Sequence, residues 1–396
     1  MPSPLAELWT LSPDVIFLNH GSFGACPRVV MDAQDEIRTR MERQPVRFMQ
    51  RDLPGLIDAA REDLASFLSA DPANLAFIGN ATSGVNAVAR SLDLRPGDEI
   101  LTTSHDYNAC RNVLTEAARR AGARIVVAQV PFPLADEQQI VDAILPAVTA
   151  RTRLAMIDHI TSPTALVFPI AKIVRALAER GVETLVDGAH APGAVAMEIE
   201  RVRPAYYTGN LHKWVCAPKG AAFLWARPDT QDTLHPAVIS HGENVRRPGR
   251  SAFHDRFDWP GTFDPSAWLA VPTAIRFGAA LWPGGWDELR ERNRAAAASA
   301  RAVIAGSLGV ALPCPDSLLA SMAAIPLPDH FGKIPRGGEI IDALQTRLLE
   351  EKNIEVPIVN WGNPTRRHVR ISAHAHNSES DYRALAAALS DIHAGR

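Results

Sequence analysis

The chain has 396 residues, 46% hydrophobic and 21% charged, a composition that excludes a disordered polymer and predicts two or three globular units. Lys and Arg number 41 against 44 Asp and Glu, and the resulting formal charge of −3 argues against a protein that coats nucleic acid or a membrane surface. Neither partner is expected.

The opening MPSPLAELWTLSPD lacks the basic segment and apolar run of a secretory signal, and no stretch approaches the roughly 20 apolar residues of a membrane helix. Cys26, Cys110, Cys216 and Cys314 form no CxxC pair, so neither a disulfide framework nor a structural zinc site is expected. A cytoplasmic, reducing setting suits them. Residues 29–70 carry helical spacing, with Leu53, Leu56, Ile57, Ala60 and Leu64 on one face. From residue 75 the rhythm changes to short apolar runs between amphipathic stretches. LAFIG leads to a helix over 83–92, and DEILTT to a helix over 108–121. ARIVVAQV and RLAMIDHI follow, then a helix over 171–180, then VETLVDGA, AYYTGN and AAFLWA.

Apolar runs of that length between helices predict an α/β domain whose mainly parallel sheet is buried on both faces. Chemistry then belongs where the strand C-termini open into loops. Beyond Trp268 come helical stretches over 266–281 and 286–305, and then a weaker mix. IIDALQTRLLEEKNI reads as a helix, HVRISA as a strand, and SESDYRALAAALSDI as a final helix opened by a serine cap. A smaller α+β domain is expected there.

Three local patterns carry candidate chemistry. In GNLHKWVCAPKG, Lys213 follows a strand end, where desolvation and neighbouring cations could turn an amine into a nucleophile. In TLVDGAHAPG, Asp187 ends an apolar strand, a costly place for a carboxylate unless it has a partner or caps the following turn. In IGNATSGVNAVA, a glycine, the hydroxyls of Thr82 and Ser83, and a helix start offer an anion site, or ordinary capping by Ser83. Neither GxGxxG nor GxxxxGK[ST] is present. A phosphate cradle, a strand-end Asp and a later loop Lys together fit pyridoxal phosphate (PLP).

The strings FLNHGSFGACPR, IGNATSGVNAVARSL, SHDYNACR, TLVDGAHAPG, GNLHKW, WPGTFDPSAWLA and HVRISAHAHNS run in order across nearly the whole chain. In this the sequence resembles the fold-type-I PLP enzymes of the class V aminotransferase group, which includes the cysteine desulfurases, and within it the isopenicillin N epimerase branch. The resemblance implies a large domain over 21–268 with a mainly parallel seven-stranded sheet, a small α+β domain over 269–396, and an N-terminal arm, 1–20, packed on the small domain.

It also implies roles. Lys213 would join the cofactor covalently, and Asp187 would pair with its pyridine nitrogen. His190 would meet the ring hydroxyl, and Tyr107 would stack on the ring and stand among the catalytic residues. Thr82, Ser83, Ser162, Asn210 and His212 would complete the cofactor site. Thr262 would reach the phosphate of a neighbouring subunit, implying a homodimer with shared sites. Arg370 would fork onto the substrate carboxylate, with Asn19 and His20 also on the substrate side.

The departures narrow the subclass. A desulfurase needs a nucleophilic cysteine shortly before that arginine, and none lies between Leu344 and Arg370. A persulfide-forming desulfurase is therefore not expected; the resemblance to the isopenicillin N epimerase branch implies an epimerase or racemase acting at Cα of an amino-acid-type substrate, with a C–S or C–Se lyase or an aminotransferase as the alternative. A scaffold without catalysis ranks last, since the lysine, aspartate and arginine positions are filled. His20, His105, His159, His190, His212, His374 and His376 invite a metal reading, but HExxH spacing is absent and no metal is expected. The basic run RRPGRSAFHDR (246–256) reads as a solvated loop, or as a segment at the site mouth that attracts a second substrate carboxylate.

Overall fold

The computed structural model describes residues 3–331, 341–362 and 364–393, except the side chains of residues 330 and 393. In chain order the strands are β1 (Ile16–Phe17), β2 (Leu75–Ile78), β3 (Glu99–Thr103), β4 (Arg124–Ala128), β5 (Thr152–Asp158) and β6 (Glu183–Asp187). They continue with β7 (Tyr206–Asn210), β8 (Ala222–Ala226), β9 (Met322–Pro326), β10 (Ile354–Glu355), β11 (Ile358–Trp361) and β12 (Arg366–Ser372). Seven of them form one sheet in the order β2-β8-β7-β6-β5-β3-β4. Only β8 runs against its neighbours.

Successive residues of these strands enter opposite cores. Ala155 and Ile157 join the apolar cluster on one face, whereas Leu154 and Met156 join the cluster on the other. Burial on both faces is why these strands read as continuous apolar runs rather than alternating ones. Edge strand β4 keeps Arg124 exposed and its middle half-buried, so the sheet ends there on charge. The chain passes from β3 outward to β4 and then returns to the other side of β3 with β5. That reversal opens a crevice at the strand C-termini, where loops after β3, β5, β6 and β7 converge.

A second sheet, β11-β12-β9, is antiparallel, with β12 central. It leans on the long helix Gly285–Leu308, which also packs against the final helix Glu379–His393. β1 pairs in parallel with β10, and the Ser372 N–H donates to the Leu18 carbonyl, so the N-terminal segment is stitched to the end of β12. These bonds carry residues 19–24 to the crevice.

Several local expectations are corrected. The helix after β2 is Ala81–Ser91, and its cap is Asn80, whose Oδ1 accepts the Ser83 N–H at 2.9 Å; Ser83 itself lies inside the first turn. The helical stretch over 29–70 is divided into Arg28–Arg43 and Leu53–Leu68, with the break at Gln44 and Pro45. The basic run over 246–256 is tied inward: Arg247 pairs with Asp255 at 2.7 Å, and Arg250 with Asp58 and Asp258. Those arginines are neutralised within the chain and are not a free lure for a substrate carboxylate.

Candidate active site

Asp187 is the last residue of β6 and is 2% exposed. Its Oδ1 accepts the Ala189 N–H at 3.0 Å, and its Oδ2 accepts the Cys110 thiol at 3.2 Å. Burial raises the carboxyl above its ordinary range, opposed by the Ala189 N–H, the thiol and the charge of Lys213. Such a carboxyl is held in place but short of strong donors, the state in which a pyridinium N–H is a welcome partner. Cys110 is packed in its helix, and its bond to Asp187 is a contact the sequence did not reveal.

Lys213 sits in the turn after β7, with Nζ 3.0 Å from His190 Nε2. Burial first, and the nearby Arg370 cation second, lower its pKa to about 7. An amine so placed is neutral in an appreciable fraction at physiological pH and can act as nucleophile or base. His190 is kept neutral by burial and by the charges of Lys213 and Arg370, and its Nδ1 has no partner among the described residues. The turn is close-packed: Gly24, at φ +58°, lies against the His212 carbonyl, and a Cβ there would overlap it.

Asn210, the last residue of β7, accepts the Ala81 N–H at 2.8 Å and so fastens the start of helix Ala81–Ser91 to the strand that leads to Lys213. Thr82 and Ser83 are half-buried in that first turn. Gly84 allows the approach, since a Cβ there would strike Thr208 on β7. Burial, reinforced by Lys213, lowers His212 to about 4, and its Nδ1 is buried without a partner among the described residues.

Arg370, on the central strand β12, reaches across to the crevice and is 5% exposed. Its Nη1 donates to the Ser162 carbonyl at 2.7 Å and hydroxyl at 3.1 Å. Its Nη2 donates to Ser22 Oγ at 2.9 Å, and that hydroxyl donates to Asn19 Oδ1 at 2.5 Å. The guanidinium Nε is buried without a partner among the described residues. Burial lowers the group only to about 10, so it stays charged at neutral pH. Its partners among the described residues are neutral, and a buried cation met only by neutral groups calls for an anion. Tyr107, 47% exposed at the start of helix Asn108–Ala121, stands close enough to influence Arg370 and flanks the mouth.

Two expected residues stand elsewhere. His20 is fully buried, its Nε2 3.0 Å from the Lys213 carbonyl and its Nδ1 3.1 Å from His376 Nε2. It lies against the main chain of the lysine, with both ring nitrogens engaged within the protein. Thr262 is exposed, and among the described residues it makes no hydrogen bond to this cluster within the single chain. Three further residues were not singled out by the sequence. Ser22, between Asn19 and Arg370, Asp158 and the Asp187-bonded Cys110 all lie inside quoted strings, but nothing local marks their contacts.

The residues present fit PLP. A neutralisable amine, a buried carboxyl, a helix start and the unpartnered His190 Nδ1 and Arg370 Nε converge on one crevice. Residues 16–381 match the family model described as aminotransferase class-V. The isopenicillin N epimerase of Amycolatopsis lactamdurans is 35% identical over 98% of this chain and 97% of that protein. A probable chloroplastic L-cysteine desulfhydrase of Arabidopsis thaliana is 30% identical over 96% of this chain and 83% of its own length. A solved structure of a C-DES mutant with glycine covalently linked to its PLP cofactor superposes with a TM-score of 0.77, at 21% identity, over 96% of this chain and 97% of that one. The fold is that of the fold-type-I PLP enzymes, and the chain belongs to the class V aminotransferase family as a PLP-dependent enzyme.

Proposed function

We propose that this enzyme epimerises or racemises an amino-acid-type substrate at Cα, in the manner of isopenicillin N epimerase. The observation that carries the reading is the buried Arg370 fork facing the crevice of Lys213, a seat for one carboxylate beside a base. The likeness to isopenicillin N epimerase over 98% of the chain supports it. PLP, when bound, supplies the electron sink. Lys213 Nζ removes the Cα proton, His190 orients that amine, Asp187 keeps the ring nitrogen protonated, and Arg370 with Ser22 and Ser162 fixes the carboxylate. Thr82, Ser83, Asn210 and His212 hold the phosphate side, and Tyr107 covers the ring.

A second reading, C–S lyase, is favoured by the 30% identity to the probable L-cysteine desulfhydrase. A persulfide-forming desulfurase is not favoured. Burial raises the Cys26 thiol to about 11 and pushes those of Cys110, Cys216 and Cys314 up as well, so no thiolate is available as a nucleophile at neutral pH. The four free cysteines agree with a cytoplasmic setting, and no helix among the described residues is long and apolar enough to cross a membrane.

The proposal includes the domain division at 268/269 and a homodimer in which the exposed Thr262 reaches the partner's phosphate. Sedimentation at micromolar concentration should give a dimer, and Thr262→Ala should weaken PLP retention. The decisive experiment incubates the holoenzyme with L-amino acids in D2O and follows Cα exchange, product chirality, sulfide and keto acid together. Exchange with loss of chirality supports the epimerase. Sulfide and pyruvate from cysteine, without racemisation of other substrates, would replace it with the lyase.

A further inference from the structure

Directly beneath Lys213 lies a buried group that the reaction described above does not use: His20, Cys216, His374 and His376, none more than 5% exposed. The His20 and His374 rings stack at 4.2 Å between centroids, tilted by 13°. Cys216 Sγ lies 3.6 Å from His20 Nε2 and 3.5 Å from His374 Nε2. Donor atoms of His20, Cys216 and His374 all fall within 4.8 Å of one another, close enough to consider a metal ion. The hydrogen bonds point elsewhere. The Lys213 carbonyl can only accept, so His20 Nε2 carries a proton and is not a ligand. His20 Nδ1 is then the acceptor, of His376 Nε2–H at 3.1 Å and, more distantly, of the Ala25 N–H at 3.4 Å. Parallel stacked rings also send their in-plane lone pairs side by side rather than toward one centre.

A directed chain results, running from His376 through His20 to the carbonyl of Lys213. The same carbonyl accepts the Cys216 N–H at 3.0 Å, and Cys216 is held at φ +60°, a conformation that a residue with a side chain rarely adopts. A Cβ-bearing residue in that region persists only when its surroundings over-determine it, and here the surroundings are the two imidazoles on its sulfur.

We propose that His20 is a positioning residue: with His376 behind it, it clamps the main chain of Lys213 through the carbonyl and so sets where the lysine amine stands. The proposal rests on Lys213 as the cofactor lysine. Removing the clamp lets the turn Lys213–Cys216 relax, and a displacement of about 1 Å at a reacting group can cost of order 10²-fold in rate. The substrate carboxylate is held by Arg370 on β12, which keeps its two bonds to Ser162 even where the neighbouring Ser22 shifts, so its binding should change less.

The test uses holoenzyme bearing His20→Leu, His20→Gln or His376→Leu. Borohydride fixation and peptide mapping of the wild type locate the cofactor first. In His20→Leu, kcat should fall at least ~10-fold with KM within ~3-fold, and the pH midpoint of the bound-cofactor absorbance should move. Glutamine can return an N–H donor to the position of Nε2, so His20→Gln should recover most of the rate and the original midpoint. His376→Leu should show a smaller shift in the same direction and serves if His20→Leu does not fold. An unchanged kcat and midpoint in folded His20→Leu or, where that variant does not fold, in His376→Leu, overturns the clamp. So does about one equivalent of transition metal whose removal by a chelator abolishes activity. Cofactor fixed to Lys213 in such cases leaves the site reading intact, whereas cofactor fixed to another lysine overturns both.

Discussion

Asp158 and Asp187 stand opposite one another in register at the ends of parallel strands β5 and β6, both buried. Two carboxyls so placed cannot both ionise cheaply. Asp187 has the Ala189 N–H, the Cys110 thiol and the Lys213 cation in its favour. Asp158 has a buried Oδ2 without a partner among the described residues, and burial together with the Asp187 charge raises its pKa well above the usual carboxylate range. The pair divides its roles: Asp187 carries the charge and Asp158 the proton.

Asparagine, always neutral, should therefore replace Asp158 at little cost. Asp158→Asn should keep turnover within about 3-fold, less than ~1 kcal/mol of barrier. Asp187→Asn should lose at least ~10²-fold, as when an important electrostatic group is removed. The stability sign follows from the raised pKa. The folded state holds the Asp158 proton more tightly than the unfolded chain, so wild-type stability declines as pH climbs from the ordinary carboxylate range toward the raised value. Asp158→Asn should melt at or above the wild-type temperature at pH 8, with the advantage fading toward pH 4. Equal losses of turnover in the two variants would show that Asp158 works as a carboxylate.

Lys213→Ala should abolish the covalent cofactor linkage. The wild type should keep its yellow absorbance through gel filtration, and the variant should lose it. Lys219 is the nearest rival in sequence, but its Nζ donates to the Gly24 carbonyl at 2.6 Å. Persistent absorbance, with borohydride still fixing cofactor to the chain, would make another lysine the partner.

Arg370→Lys retains the charge and loses the planar fork that meets Ser162 and Ser22 from two nitrogens. KM for the amino-acid substrate should rise at least ~10-fold, with a smaller change in kcat. A variant with unchanged KM would move carboxylate recognition elsewhere.

Acid should unfold the protein through its buried imidazoles. Burial lowers His20, His105, His159 and His212 to about 4. Below the unfolded value near 6.5 the unfolded chain binds protons that the folded one refuses, so stability is lost as pH falls from about 6.5 toward 4. Each such group that stays neutral in the fold contributes up to about 1.4 kcal/mol per pH unit over that window. Urea midpoints at pH 7, 6 and 5 give the measurement. A midpoint that stays flat across that range would mean these histidines are protonated in the fold.

The thiols should stay out of the chemistry. Cys110→Ser preserves a donor to Asp187, and Cys314→Ser lies beside Arg301, in the core away from the crevice. Both should hold turnover within a few-fold, less than about 1 kcal/mol. Any sulfur release from cysteine should then give pyruvate by β-elimination and no protein persulfide. Mass spectrometry that finds a persulfide on either residue, with alanine as product, would make the enzyme a desulfurase.

The sequence by itself determined the sheet and two anchors of the site. Burial on both faces writes itself into uninterrupted apolar runs, so β5, β6 and β7 were legible, and Asp187 and Lys213 stood out as polar residues where such runs end. Helix ends were less legible, because Asn80 and Ser83 are both good capping residues and only backbone geometry chose between them. What the tertiary structure decided is partnership. Arg370 meets Ser162 across 208 residues of chain and Ser22 across 348, and periodicity encodes which face is buried, never which distant residue lies opposite. The same holds for Asp158 beside Asp187 and for His20, which the parallel pairing of β1 with β10 brings against the Lys213 carbonyl. Those contacts exist only once strands far apart in sequence have paired, and local hydrophobic pattern holds no record of their register.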